Sequence, residues 1–197
     1  MIIIITRHGE TEENKKRIIQ GHMPGHLSEK GKKQSMKVAE RLRNEKIDCI
    51  YSSDLARAAD TAKEISKFHP DTPLILTKEL RERKLGEYEG LSGKSLDWEK
   101  IRKDWENPKE GESKKKMAER AERFIEKIIE EHKNQAVLLV GHDGIDKALI
   151  KSIDKNVCLD KHLGNTSISV FKIESGERKT VLINCTKHLE GLGTDWE

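Results

Sequence analysis

Cysteine is scarce in this sequence and is never closely paired. Only Cys49, Cys158 and Cys185 occur, they lie far apart, and no two of them stand in C-x-x-C spacing. This count and spacing argue against a disulfide framework and against a zinc motif. We therefore expect reduced thiols, which are typical of a cytoplasmic protein.

Long apolar runs are also missing. The apolar stretch at the start is five residues long and has no basic segment before it, so it does not have the pattern of a secretory signal. No stretch approaches the ~18 apolar residues of a membrane-spanning helix. We expect no membrane partner and a cytoplasmic location.

Charge of one sign is not in large excess. Lys and Arg number 38 against 35 Asp and Glu, which gives a net charge of +3. The basic runs at 14–17 and 114–116 lie beside acidic residues and are typical of solvated surface. Without a basic stripe, we expect no nucleic-acid partner.

Apolar residues are only 34% of the chain, but they cluster in short blocks that alternate between strand and helix patterns. Strands are predicted at 1–6, 47–53, 74–80, 136–142, 167–174 and 179–185, and helices at 28–45, 54–68, 113–133 and 144–153. Ser28 and Asp54 are predicted N-caps. The alternation predicts an α/β fold, a three-layer α/β/α sandwich with a mainly parallel central sheet. We expect a single domain over 1–197, with a lid-like insertion at about 84–112 that contains a short helix.

Polar residues follow the predicted strands at their carboxyl ends, where open α/β sheets bind ligands. The first strand runs into Arg7 and His8, and the fourth into His142. Arg57 follows the second strand by one helical turn, and Glu82 follows the third. We therefore expect two histidines, arginines and one carboxylate to meet at one edge of the sheet.

This set of side chains suits phosphoryl transfer. Arginine keeps its charge and offers a fork of donors to phosphate oxygens. A neutral histidine can attack phosphorus, and a carboxylic acid can protonate the leaving oxygen and then activate water. Arginines can neutralise the phosphate charge, so we expect no metal ion and no cofactor.

Other interpretations compete with this one. A histidine at a strand end is more often a structural hydrogen-bonding residue. His22 and His26 have the spacing of a metal pair, but Pro24 and Gly25 between them preclude a helix. The stretch 88–95 ends like a phosphate-binding P-loop, yet it has Tyr88 where that motif requires glycine, so we interpret it as a glycine-rich loop.

Seven blocks of the sequence form a recognisable series along the chain. They are TRHGETEEN, RIIQGHMPGHLSEKGKKQ, IYSSDLARAADTA, LRERKLGEYEG, GES, LLVGHDG and NTSISV. In this order they resemble the histidine phosphatase superfamily, in its branch with cofactor-dependent phosphoglycerate mutases. They cover nearly the whole chain, which makes chance agreement a poor explanation. The resemblance implies a phosphoglycerate mutase-like fold, in agreement with the predicted order of elements.

The resemblance also implies a catalytic role for each matching residue. His8 would be the nucleophile that becomes phosphorylated. Arg7, Arg57 and His142 would clamp the phosphoryl group. Glu82 would be the general acid and then the general base.

Four further residues are assigned to substrate binding by the same resemblance. Asn14 would contact the phosphate, and Gln20 and Gly21 would line the pocket near the substrate. Asp143 is placed there too, and its position after His142 resembles the H-D pair that supplies the proton donor in the acid-phosphatase branch. Asp143 is therefore an alternative to Glu82 as donor.

The chain departs from the family at the pocket rim. The family often has Trp at the position of Glu13, and Asp and Pro at the positions of Pro24 and His26. These departures put the substrate preference in doubt and leave the reaction unaffected. We expect the pocket for the non-phosphate part of the substrate to be shaped by a set of rim and lid residues, with core and surface packing as the alternative role for each. They are His22, Met23, His26, Tyr88, Trp98 and Trp105.

The length between two blocks separates phosphatase from mutase. Mutases of the family carry a longer insertion between the Glu and the second His, whereas here 60 residues separate Glu82 from His142. We expect a phosphatase that hydrolyses a small phosphomonoester, with mutase activity as the alternative. A non-catalytic phosphate-binding protein is a third hypothesis, disfavoured because both His8 and Glu82 are present. A homodimer is left open.

Overall fold

The computed structural model describes residues 1–192, without the side chains of Lys100 and Arg102. Its central layer is a six-stranded sheet made of β1 (Ile2–Arg7), β2 (Cys49–Ser53), β3 (Leu74–Thr77), β4 (Ala136–Gly141), β5 (Ile168–Glu174) and β6 (Glu177–Cys185). The strand order is β3-β2-β4-β1-β5-β6. The first four strands in that order are parallel, while β5 and β6 are antiparallel to their neighbours. The predicted mainly parallel sheet is confirmed.

Helices cover both faces of this sheet. They are α1 (Glu12–Lys15), α2 (Glu29–Leu42), α3 (Ala56–Ser66), α4 (Trp98–Glu106), α5 (Lys114–Glu131) and α6 (Asp143–Ile153). Successive strand residues point to opposite faces, so Ile4 packs with α2 and α3, whereas Ile3 and Ile5 pack with α5 and α6. This alternation produces two separate cores and confirms the three-layer α/β/α architecture.

The two predicted N-caps have different outcomes. The Ser28 hydroxyl accepts a hydrogen bond from the backbone N–H of Gly31 at 3.0 Å and caps α2. The prediction for Asp54 is wrong, because α3 begins at Ala56 with Leu55 at its N-cap. The Asp54 carboxylate instead accepts two hydrogen bonds from Arg81, each 2.6 Å long. A bidentate ion pair with a distant arginine has replaced the local cap.

The third strand is shorter than predicted. It ends at Thr77, whose hydroxyl accepts a hydrogen bond from the N–H of Glu79 at 3.2 Å and opens a 3₁₀ turn over Lys78–Leu80. Two further short elements were not predicted, α1 and a 3₁₀ turn at Lys187–Leu189.

The insertion at 84–112 contains the expected short helix, α4, preceded by a 3₁₀ turn at Gly86–Tyr88. Residues 193–197 of the predicted domain lie outside the described residues. Within 1–192, no helix has both the length and the apolar content needed to cross a membrane.

Candidate active site

The pairing of β1 with β4 brings two histidines together. The strands are parallel with Arg7 opposite Gly141, so the next residue of each strand, His8 and His142, leaves the sheet at the same place. The backbone N–H of His8 donates to the Gly141 carbonyl at 3.0 Å. The two rings meet edge to face with centroids 5.0 Å apart. The convergence expected from the strand ends is present.

A cavity of about 350 Å³ opens at this edge of the sheet. Eight of the nine predicted site residues line it, namely Arg7, His8, Asn14, Gln20, Gly21, Arg57, Glu82 and Asp143. The ninth, His142, lies one layer deeper behind Arg57. One concave site therefore holds imidazole, guanidinium and carboxylate groups together.

His8 is held as a neutral ring with a defined free nitrogen. It is 3% exposed, and its Nδ1 lies 2.6 Å from the Gly9 carbonyl oxygen. A carbonyl only accepts, so Nδ1 carries the proton and Nε2 keeps its lone pair. Burial, together with the charges of Arg57 and Arg7, lowers the pKa of His8 well below its ordinary value. The geometry offers an unprotonated Nε2 at neutral pH.

Arg57 is fixed by protein acceptors on three sides. Its Nη2 donates to the Gly21 carbonyl at 2.8 Å, its Nη1 to the Met23 carbonyl at 3.0 Å, and its Nε to His142 Nδ1 at 3.2 Å. Burial lowers the pKa of Arg57 to about 10, so the guanidinium is still charged at neutral pH. A fixed positive charge of this kind suits a phosphoryl group.

His142 supports Arg57 from behind. Because its Nδ1 accepts from Arg57, its Nε2 carries the proton and donates to the Ser53 hydroxyl at 2.9 Å. Burial and the nearby Arg57 charge lower the pKa of His142 well below its ordinary value. Both ring nitrogens thus have protein partners, so His142 positions Arg57, and its predicted role in clamping a phosphoryl group stays a prediction.

The segment 163–166, which precedes β5, holds the backbone and side chain of Arg7 and the backbone of His8 by hydrogen bonds. Arg7 Nη1 donates to the Leu163 carbonyl at 2.5 Å, and the Asn165 side-chain amide donates to the His8 carbonyl at 2.9 Å. The N–H of Thr166 donates to the Arg7 carbonyl at 3.0 Å. These bonds fix the backbone that carries two of the predicted catalytic residues.

Glu82 is oriented by two backbone donors. Its Oε1 accepts from its neighbour Arg83 at 2.8 Å, and its Oε2 accepts from the N–H of Gly144 at 3.0 Å. A Cβ at Gly144 would lie 2.4 Å from Oε1, so only glycine leaves room for this carboxyl group at the start of α6.

Asp143 is engaged in structural contacts. Its Oδ1 accepts from the Leu163 N–H at 2.8 Å, while its Oδ2 lies 2.5 Å from His162 Nδ1 and 3.3 Å from Lys147 Nζ. Burial alone would raise the pKa of Asp143, but the His162 hydrogen bond and the charges of Arg7 and Lys147 outweigh it and hold that pKa well below its usual range. Asp143 is therefore ionised at neutral pH and has no proton to donate.

The predicted substrate-binding residues are arranged around the cavity mouth. Asn14 Oδ1 accepts from the Thr11 N–H and hydroxyl at 3.1 and 3.0 Å, which leaves the NH₂ end of this amide for a ligand. Gly21 has a φ of +50°, and a Cβ there would lie 2.1 Å from Glu89 Oε1. The Gln20 carbonyl oxygen Oε1 is buried without a partner among the described residues.

The predicted rim and lid residues divide into four groups. Trp98 and Trp105 line the cavity, whereas Tyr88 packs behind Trp105 with centroids 5.5 Å apart. His22 Nε2 lies 2.7 Å from the Glu82 backbone carbonyl oxygen, so this histidine holds the backbone of the predicted general acid. The backbone carbonyl of Met23 accepts the hydrogen bond from Arg57. His26 is exposed and lines a different cavity, so its predicted place on this rim is wrong.

Three polar lining residues were not predicted, two cationic side chains and one histidine. Arg17 and Lys94 line the cavity mouth, although the run that contains Arg17 was interpreted as solvated surface. Its place in the R-x-x-Q-G block was the signal that could have identified it. His162, the partner of Asp143, carries no local signal because it is 19 residues away in sequence.

Within residues 1–192, no group of three or more His, Cys, Asp and Glu side chains is clustered as metal ligands are. The positive charge in the cavity comes from guanidinium and ammonium groups. His22 lies against the Glu82 backbone, whereas His26 lines a different cavity.

Comparison with known proteins gives concordant matches. The model of the histidine phosphatase superfamily (branch 1) matches residues 3–186. Phosphoglycerate mutase-like protein 4 of Arabidopsis thaliana is 33% identical over 97% of this chain and 88% of its own length. Metal-independent phosphoserine phosphatase of the same plant is 34% identical over 97% and 84%, respectively. The structure of Bacillus stearothermophilus YhfR superposes with a TM-score of 0.86 at 26% identity, covering 96% of this chain and 99% of that one.

Proposed function

The chain belongs to branch 1 of the histidine phosphatase superfamily, and from this premise we propose that it hydrolyses small phosphomonoesters through a phosphohistidine on His8, without a metal ion. One observation carries the proposal. The buried His8 ring has its Nδ1 bound to the Gly9 carbonyl, and its free Nε2 shares a cavity with Arg7, Arg57 and Glu82.

In the first step, the lone pair of His8 Nε2 attacks phosphorus and the bond from phosphorus to the ester oxygen breaks. The Glu82 carboxyl group gives its proton to the departing oxygen, which leaves as an alcohol. The phosphoryl group is then bonded to Nε2. The ionised Asp143 cannot perform this protonation, which favours Glu82 as the donor.

In the second step, the Glu82 carboxylate takes a proton from water, and the water oxygen attacks phosphorus. The bond between nitrogen and phosphorus breaks, inorganic phosphate leaves, and His8 returns to its neutral form with the proton on Nδ1. Glu82 is again a carboxylic acid, so one turnover consumes one water molecule.

The guanidinium groups of Arg7 and Arg57 neutralise the phosphoryl oxygens in both steps. Each is held in place before substrate arrives, Arg7 by Leu163 and Arg57 by Gly21 and Met23. Charges fixed in advance stabilise the transition state without a reorganisation cost. In this proposal they do the work that a metal ion does in other phosphatases.

Phosphatase and mutase activity differ in the fate of the phosphohistidine. One relative is named as phosphoglycerate mutase-like, which supports mutase activity as the alternative. Another relative is named as a phosphoserine phosphatase. The short separation between Glu82 and His142 favours hydrolysis. A panel that includes phosphoserine and 3-phosphoglycerate, with and without 2,3-bisphosphoglycerate, decides the point. Isomerisation of phosphoglycerate outpacing hydrolysis would refute the phosphatase assignment.

We also propose a cellular location and a domain organisation for this enzyme. All three cysteines are free, which is consistent with the reducing cytoplasm. The whole chain is proposed to act as one catalytic domain with the insertion at 84–112 as its lid. The homodimer stays a prediction, to be checked by light scattering of the purified protein.

The decisive experiment measures phosphate release from an aryl phosphate in the presence of a chelator. Native protein and His26→Ala, an exposed histidine outside the cavity, are expected to show equal activity that the chelator does not change. His8→Ala is expected to lose it. Activity that depends on a metal, or full activity in His8→Ala, contradicts the phosphohistidine mechanism.

A further inference from the structure

A second cavity of about 760 Å³ adjoins the catalytic one. The two share a border made of Glu82, Leu85, Trp105, Asp143 and His162. From this border the second cavity runs as a groove between α5 and α6, and we call it the α5–α6 groove. Its further lining includes Met117 and Glu122 of α5, Ala148 and Lys151 of α6, and Lys155 after that helix.

The groove lies on the leaving-group side of the catalytic site. Under the proposed function, Glu82 protonates the departing oxygen, so the alcohol part of the substrate must lie next to this carboxyl group. Glu82 lines both cavities. An alcohol too long for the catalytic cavity would therefore extend past Glu82 into the groove.

The chemistry of the groove combines apolar and mainly cationic surface, with Glu122 of α5 as an acidic residue among its additional lining residues. Leu85, Trp105, Met117 and Ala148 provide apolar contacts, while lysines of α6 and the residues after it lie on the rim. Apolar side chains favour a hydrocarbon or aromatic body, and the lysines favour an anion.

The rim lysines differ in their partners. Lys147 pairs with Asp143 at 3.3 Å, and Lys114 pairs with Glu106 at 2.5 Å. Lys151 Nζ donates only to a backbone carbonyl, that of Lys155, at 3.0 Å. Among residues 1–192, neither Lys151 nor Lys155 forms a close ion pair, although the charge of Lys151 acts on the Asp154 carboxylate and helps to lower its pKa. Both ammonium groups can therefore contact a ligand at the far end of the groove.

Helix geometry sets the length of a matching ligand. Gly144, at the start of α6, donates to Glu82 Oε2, and Lys151 lies seven residues further along the same helix. At 1.5 Å per residue, Lys151 is about 10 Å along the helix axis from the proton donor.

We propose that the α5–α6 groove binds the alcohol arm of a longer phosphomonoester, with an apolar body against Leu85, Met117 and Ala148 and a terminal carboxylate or second phosphate at Lys151 and Lys155. This inference rests on the proposed function, because it places the leaving group next to Glu82. It names the substrate class as extended, amphipathic and anionic at both ends.

The test uses phosphate monoesters of ω-hydroxy acids of increasing chain length, the longest of which span about 10 Å. A matched series of alkyl phosphates has the same lengths but ends in a methyl group. The native enzyme is expected to show kcat/KM rising with length in both series, with an additional gain of about two- to fivefold for the long acids, the range of one exposed ion pair. The additional gain is expected to shrink at high salt.

Two variants locate the effect. Lys151→Gln and Lys155→Gln are expected to raise KM for the long acids towards that of the methyl series, with kcat unchanged, because they remove binding made equally in ground and transition states. Lys179→Gln makes the same change on the exposed β6 and is the control. It is expected to leave the preference intact.

The outcomes are distinct. No hydrolysis of any ester by the native enzyme refutes the proposed function itself. Hydrolysis of short esters without a gain from length refutes the groove as a substrate site. A gain from length that is equal in both series, or equal loss of the acid preference in Lys151→Gln and Lys179→Gln, refutes the anion site at its end.

Discussion

Asp146 is a buried acid that the proposed mechanism does not use, and it allows a sharp prediction about stability. It is 0% exposed, and neither carboxyl oxygen has a hydrogen-bond partner among the described residues. Its Oδ1 lies against Gly141, where a Cβ would come within 2.1 Å. Burial, and then the charges of Glu82 and Asp143, raise the pKa of Asp146 well above its ordinary value, while the charge of Arg7 and an interaction with the His142 backbone oppose them.

A raised pKa means that the folded protein holds a proton that the unfolded chain releases. The contribution of Asp146 to stability is complete below the unfolded pKa of about 3.9 and is lost as pH rises towards the folded pKa. The Asp146→Asn variant has no such proton. Within this interval, the free energy of unfolding of the variant minus that of the native protein is expected to increase by about 1.4 kcal/mol per pH unit.

For a chain of this size, this change corresponds to a difference between the two melting temperatures that grows by about 3–5 °C per pH unit. The assay is urea and thermal unfolding of both proteins at several pH values from 4 to 8. Asp154→Asn is the control, because a hydrogen bond from Thr180 lowers the pKa of Asp154. The contribution of Asp154 to stability is complete above its unfolded pKa of about 3.9, so the difference between native protein and that variant should stay nearly constant above about pH 5. A native protein that gains on Asp146→Asn with rising pH refutes the reasoning and indicates that Arg7 stabilises an ionised Asp146.

Three further predictions concern catalysis. Glu82→Gln is expected to lower kcat for alkyl phosphates by roughly 10²- to 10⁴-fold, the usual contribution of general acid catalysis. For a nitrophenyl phosphate, whose leaving group needs no proton, the loss in kcat is expected to be much smaller. An equal loss for both substrates would contradict the role of Glu82 as the acid. Arg57→Lys is expected to lower kcat/KM by roughly 10²- to 10³-fold, because one ammonium cannot reproduce the three contacts to Gly21, Met23 and His142, and steady-state kinetics with an aryl phosphate would expose a milder loss. Because the pKa of His8 is lowered, the acid limb of the kcat/KM profile is expected to lie below pH 6.5; an acid limb above that value would show that the nucleophile is not the desolvated ring described here.

The sequence predicted best where several constraints act on the same residues. The apolar strands β1 and β4 had to be central, and parallel strands share an edge at their carboxyl ends, so His8 and His142 had to meet. The cavity then follows, since Arg57 and Glu82 come from the elements that follow the neighbouring strands. The resemblance to a family added Asn14, which no pattern of periodicity would have identified.

The failures have a common physical cause, which is a long-range contact that overrides a local preference. Asp54 has the side chain of an N-cap, yet a bidentate pair with Arg81 fixes it elsewhere. The orientation of His142 towards Arg57 and Ser53 cannot be read from spacing, and neither can the bond from His162 to Asp143. By contrast, α1 had a local signal, because Thr11 and Asn14 form a capping box.

The stereochemical course at phosphorus distinguishes a phosphohistidine intermediate from direct attack by water on the ester. Hydrolysis of a chiral, isotopically labelled phosphate monoester in labelled water yields inorganic phosphate whose configuration can be determined by nuclear magnetic resonance. Two in-line displacements, first by His8 Nε2 and then by water, each invert phosphorus, so the account predicts overall retention. Overall inversion would mean that water attacks the ester directly and would contradict a phosphohistidine intermediate.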